Sequence, residues 1–146
     1  TPVCSSAASD VYKRQMTNSW STKHIKGDES GAHNHANAMI SGVLYLQTDD
    51  DSGAILFHKD KSNFNLFTPT IDVPFNNEKL NVFNTDGWAI KPKNNMLILF
   101  PSTLYHSVYP NESDIERYVV AFNLFAFGKF GYDNVVQLGI ENKTVA

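Results

Sequence analysis

With 146 residues the chain has room for one domain with a sizeable core and none for a second. A hydrophobic fraction of 42% and a charged fraction of 18% exclude a wholly disordered chain, and a net charge of −3 offers no basic field to a phosphate backbone, so nucleic acid is not expected as a partner. The single Cys4 excludes a disulfide framework and a cysteine-based zinc cluster, leaving His, Asp, Glu or Asn to hold any metal.

Residues 1–15 show neither helical nor strand period and are similar to a translated sequencing-adapter fragment. They are expected to form a non-native or disordered tail, with a single domain over 16–146 that is truncated at its N-terminus. No charged segment followed by an apolar one opens the chain, and the longest apolar run, Met96 to Phe100, is too short to span a bilayer. A cytoplasmic protein without a membrane partner is the expectation.

Trp20 to Ile25 reads as a short outer strand and Lys26 to Gly31 as a loop. His33 and His35 follow, separated by one residue and running into the β-branched and apolar segment Ile40 to Gln47. Alternation in an extended chain turns both imidazoles to one face, with Ser41, Val43 and Tyr45 on that same face if the strand continues unbroken. Imidazole is the commonest side-chain ligand for iron, zinc and copper, so one further ligand would complete a site. His106 is the candidate. Thr48 to Gly53 reads as a hairpin turn into a strand over Ala54 to His58; its three aspartates lack EF-hand spacing and read as a solvated turn.

The Asn-, Asp- and Thr-rich stretch Lys59 to Asp86 is long enough to serve as a lid or binding loop. Trp88 to Lys91, Met96 to Phe100, His106 to Tyr109 and Arg117 to Phe125 supply four more strand-like runs, divided by Pro92, Pro101 and Pro110. Ten Phe and six Tyr favour sheet, and no stretch holds a 3.6-residue period. The expected fold is therefore all-β, a sandwich or jelly roll of about eight short strands, with Trp88 and the phenylalanines in its core. Asn111-Glu-Ser and Asn142-Lys-Thr match the glycosylation acceptor pattern, which without a secretory signal reads as coincidence.

Of the twelve basic residues only Arg14 and Arg117 are arginine. A lone guanidinium opening an apolar strand suits bidentate capture of a carboxylate, which lysine cannot reproduce. By parity Arg117, Val119, Ala121 and Asn123 share a face, so Asn123 is a candidate for the same cavity. His24 and His58 have no such companions and are read as structural.

The ordered set His33-Asn-His35-Ala-Asn37, Ser41-Gly-Val-Leu-Tyr45, Gly53-Ala-Ile-Leu-Phe57, Leu99-Phe-Pro-Ser to His106, and Arg117-Tyr-Val-Val-Ala-Phe-Asn123 resembles the 2-oxoglutarate and iron(II)-dependent dioxygenases. The likeness is to a small bacterial and phage branch, and in order and spacing to the prolyl hydroxylases. It covers roughly residues 20–127. The resemblance implies a double-stranded β-helix with iron at its open end and 2-oxoglutarate as co-substrate, its distal carboxylate held by Arg117 and Tyr45. It also implies oxidative decarboxylation to succinate coupled to hydroxylation of a substrate, by analogy a peptidyl side chain.

The family pattern pairs a histidine with Asp or Glu, whereas here the second position is His35. Three ligand sets follow: His33, His35 and His106; His35 and Asn37 with His106; or a histidine pair completed by Asp28 or Glu29 from the preceding loop. Two other functions stand beside the oxygenase. One is a cupin-like three-histidine dioxygenase that needs no 2-oxoglutarate, and the other is a non-catalytic jelly-roll structural or binding module.

Overall fold

The computed structural model describes residues 12–59, 78–79, 85, 87–131 and 138–141. Nine strands run through them: β1 (Tyr12–His24), β2 (Ser30–His33), β3 (Ile40–Gln47), β4 (Ile55–His58), β5 (Gly87–Ile90), β6 (Leu97–Pro101), β7 (His106–Val108), β8 (Arg117–Phe130) and β9 (Leu138–Ile140). They form two antiparallel sheets, one ordered β1-β8-β3-β6 with β9 also on β8, the other β2-β7-β4-β5. This is a double-stranded β-helix, a jelly roll without a helix among the described residues. Consequently no helix there is long and apolar enough to cross a membrane.

Alternation places the core. On β8 the inward residues Arg117, Val119 and Asn123 are buried, while Tyr118 between them is exposed. Tyr45 on β3, Ile55 on β4 and Phe100 on β6 close the interior from both sheets. On the outer face, Gly42 lies beneath Phe122 and Leu99: a Cβ there would come within 2.3 Å of the Phe122 ring and 2.8 Å of Leu99. The glycine lets these two side chains close over the strand.

Several expectations are corrected. Residues 12–15 do not lie outside the fold but continue β1 along β8, Tyr12 opposite Gly128 and Gln15 opposite Phe125. The first strand is indeed an outer one, though much longer than its apolar run suggests, because β8 itself extends to Phe130 and offers it a partner. Trp88 is exposed on the edge strand β5 rather than buried. Asn111, by contrast, agrees with the reading of its sequon as coincidence: it is fully buried, its amide donating to the carbonyls of His24 and Ile115. Nearly all of the proposed lid over 59–86, and Asn142, lie outside the described residues.

Candidate active site

Consecutive strands β1 and β2 lie in opposite sheets, so the turn between them sets one wall of the cavity against the other. Asp28 caps that turn by accepting from the Ile25 amide at 3.0 Å, while the Asp28 amide donates to the Ile25 carbonyl. From β2 the chain does not run straight into β3. Asn37 adopts φ 56° in the turn between them, and β3 starts again in the other sheet. The parity linking His33 to Tyr45 through one strand is therefore broken. The residues still face one cavity because the two sheets face each other.

His33 sits directly opposite His106 in the β2–β7 register, and His35 is held beside them by its amide donating to the Ser102 carbonyl at 2.9 Å. Ring centroids lie 4.4 Å apart for His33 and His106, 5.1 Å for His33 and His35, and 5.2 Å for His35 and His106. One nitrogen from each ring falls within 4.8 Å of the others, a cluster able to hold a metal ion. Two tautomers are fixed from behind: His33 Nδ1 donates to the Gly31 carbonyl at 2.7 Å and His106 Nδ1 to the Leu104 carbonyl at 2.9 Å. Each bond leaves the Nε2 lone pair free, the arrangement a ligating histidine needs.

Burial, then the neighbouring His33, pushes the His35 imidazole below its ordinary value, and burial does the same to His106 against its bond to Leu104. Both therefore favour the neutral form that binds metal. Three neutral imidazoles suit Fe(II), so the donor set fits that ion. The alternative ligands lie elsewhere. Asn37 is exposed in its turn, Glu29 is exposed, and Asp28 is engaged in capping.

The cavity runs from these rings between the sheets to Arg117, with Trp20, Thr22, His24, Tyr45, Val119 and Ala121 along its wall. It encloses about 100 Å³. Arg117 is 1% exposed, so it is no surface ion pair; Glu116 and Asp114 bind Lys23 and Lys26 instead. Its Nη1 donates to the carbonyls of Ser52 and Gly53, while its Nη2 is buried without a partner. Burial lowers its affinity for the proton, opposed by Tyr45 and Asp28. Burial pushes the Tyr45 phenol up to about 12 despite Arg117, so it stays a hydrogen-bond donor.

The hairpin that carries Ser52 and Gly53 gives two of the three aspartates a structural role, while Asp50 is exposed. Asp49 accepts from the hydroxyls of Ser52 and Ser113, which hold its carboxyl below the usual range, and Asp51 accepts from the Glu112 amide through its carbonyl. It is a built perch for Arg117 rather than a merely solvated turn.

Asn123 is not among the residues lining this cavity. Its Oδ1 accepts from Ser41 at 2.7 Å, and Ser41 in turn meets Ser102 at 2.9 Å, forming a buried network behind the loop that holds His35. Strand parity points Asn123 inward as expected, but the polar side chains beside it absorb its hydrogen bonds. His24, read as structural, does line the cavity.

Residues 18–123 match the model of a family described as "Putative 2OG-Fe(II) oxygenase". The chain belongs to the 2OG-Fe(II) oxygenase family. The family takes its name from ferrous iron and 2-oxoglutarate, and the three histidines form a group able to hold such an ion. No curated protein matches the oxygenase by sequence. Among solved structures it resembles a 2OG-Fe(II) oxygenase family oxidoreductase from Burkholderia pseudomallei, with a TM-score of 0.57 at 14% identity over 77% of this chain and 45% of that one. Iron-bound HygX from Streptomyces hygroscopicus gives 0.53 at 10% identity over 81% and 61%, and the nickel complex of the non-heme monooxygenase ThoJ 0.54 at 10% over 88% and 52%. At these identities the likeness is one of fold. The oxygenase spans between 45% and 61% of the length of these relatives.

Proposed function

We propose that the oxygenase couples oxidative decarboxylation of 2-oxoglutarate to hydroxylation of a substrate C–H bond, with His33, His35 and His106 as the iron ligands and Arg117 and Tyr45 as the seat of the distal carboxylate. The observation that carries this reading is a single cavity lined by three clustered imidazoles, two of them tautomer-fixed, and by a buried, half-partnered guanidinium. When bound, iron and 2-oxoglutarate supply dioxygen activation: one oxygen atom leaves in succinate, the other enters the alcohol, and CO2 is released.

The chain's own residues do the rest. His33 and His106 present Nε2 because backbone carbonyls hold their Nδ1 protons. Arg117 offers Nη2 while Nη1 stays anchored, and the Tyr45 hydroxyl donates beside it, so a carboxylate is gripped in one orientation. Val119, Ala121 and Ile55 keep water from the span between the two ends. The exposed His33 and Trp20 mark the mouth from which a substrate enters. A peptidyl side chain is the proposed substrate class, supported by the order and spacing of the motifs shared with prolyl hydroxylases.

Purified protein in air with Fe(II) and 2-oxoglutarate is expected to form succinate slowly without added substrate. Arg117→Ala should cut that rate at low 2-oxoglutarate by about two orders of magnitude, the size of a lost charge-assisted pair. Oxygen uptake indifferent to 2-oxoglutarate and to Arg117 would replace this reading with the three-histidine dioxygenase that needs no keto acid. Failure to bind stoichiometric iron with the fold intact would replace it with a non-catalytic module.

A further inference from the structure

His24 ends β1 directly opposite Arg117 in the β1–β8 register, and Tyr45 stands opposite Val119, two residues further along β8. All three side chains face the same end of the cavity. Only 9% of His24 is exposed, and its Nδ1, like Arg117 Nη2, is buried without a partner; these two are the orphan buried side-chain atoms among the described residues. Buried polar atoms are almost always partnered, so two orphans on cross-strand neighbours mark where ligand atoms belong. The ligand must accept from a guanidinium, which points to an anion with planar oxygens.

The other nitrogen of His24 defines what Nδ1 can do. Nε2 lies 3.3 Å from the Ser30 hydroxyl, which crosses from the facing sheet. Burial and the Arg117 charge, against Asp28, favour the neutral ring, which carries one proton. The Ser30 hydroxyl can donate to Nε2, and in that tautomer, the one a carboxylate beside Arg117 selects, the proton sits on Nδ1 and Nδ1 is a donor in the cavity that Arg117 also lines.

We propose that His24 is a third donor to the distal carboxylate of the co-substrate, its Nδ1–H acting beside Arg117 Nη2 and the Tyr45 hydroxyl, with Ser30 as the positioning residue that sets its tautomer. This rests on the 2-oxoglutarate reading above. The seat is thereby tuned for a five-carbon diacid, and the preference for 2-oxoglutarate over keto acids without the second carboxylate is divided among three side chains.

Binding without turnover tests it. Protein loaded with Mn(II) under argon is titrated calorimetrically with 2-oxoglutarate and, separately, with 2-oxobutyrate, which has the same keto acid head and no distal carboxylate. His24→Ala should weaken 2-oxoglutarate by about tenfold or more, as expected for a lost hydrogen bond to a charged group, and leave 2-oxobutyrate and Mn(II) affinity within about twofold. His24→Asn, which keeps a donor near Nδ1, should recover most of the loss, and Ser30→Ala should show a smaller loss confined to the diacid. Should His24→Ala fail to fold, Ser30→Ala and His24→Asn decide the matter through the same comparison. Equal weakening of both keto acids, or of neither, overturns the proposal. If Arg117→Ala discriminates between the acids and His24→Ala does not, the role of His24 fails while the 2-oxoglutarate reading stands; if Arg117→Ala treats both alike, both fail.

Discussion

The carboxylate seat proposed at Arg117 depends on the side chain being gripped from behind through Nη1. Gly53 makes the grip possible: it adopts φ +77°, and a Cβ there would lie 2.3 Å from the Tyr109 carbonyl and 3.0 Å from Arg117 Nη1. Gly53→Ala is therefore expected to cost more than about 1 kcal/mol of stability and to displace the guanidinium. Thermal unfolding should show a lower Tm, and calorimetry weaker 2-oxoglutarate binding at unchanged metal affinity. Asn123 gives the opposite pattern. Its bond to Ser41 is buried and neither residue lines the cavity, so Asn123→Ala should cost about 1–3 kcal/mol in denaturant unfolding while 2-oxoglutarate affinity stays within about twofold. A loss of affinity as large as that of Arg117→Ala would return Asn123 to the carboxylate seat.

At the scale of the strand, pairing decides what each side chain can do. Gly42 on β3 carries Phe122 of β8 and Leu99 of β6 on its outer side, so Gly42→Ala overpacks three strands at once. A cost of about 1–3 kcal/mol in unfolding free energy is expected, with metal stoichiometry unchanged, because the strain falls on the face away from the site. Strand existence was legible wherever apolar alternation was strong: the run Ile40 to Gln47 is the same in sequence and structure, and Pro101, expected to divide two strands, is itself the last residue of β6. Pairing was not legible. Tyr12 to Gln15 carry no apolar period and are strand only because β8 is long enough to partner them. The spacing of His33 and His35 puts them beside His106 as expected, but the turn containing Asn37 separates them from the strand that carries Tyr45. His24 was missed for the same physical reason: its alternation with Trp20 and Thr22 was visible, but its companion Arg117 is supplied by a strand far along the chain.

For the molecule as a whole, burial leaves a signature in its response to pH. His24, His35 and His106 all titrate below the ordinary histidine value, burial being the leading cause in each. Below about pH 6.5 the unfolded chain takes up protons that the folded one resists, so it binds more protons and stability falls with pH; above that range the difference vanishes. Metal-free protein should thus show a Tm that is level between about pH 7 and 8 and declines as pH passes through 6 and 5. Asp49 and Glu116, whose carboxyls are held below their usual values, extend the same direction of change to lower pH. Iron at a hundredfold excess over its Kd should raise stability by about 2.7 kcal/mol near neutrality and progressively less in acid, where ligand protonation competes with the ion.

The most direct test of the whole account is X-ray absorption at the iron edge on anaerobically reconstituted protein. One Fe(II) per chain is expected, with three imidazoles and no protein carboxylate in its coordination shell, one imidazole disappearing in each of His33→Ala, His35→Ala and His106→Ala. A carboxylate in place of one of the rings, or iron that fails to bind in stoichiometric amount, would contradict it.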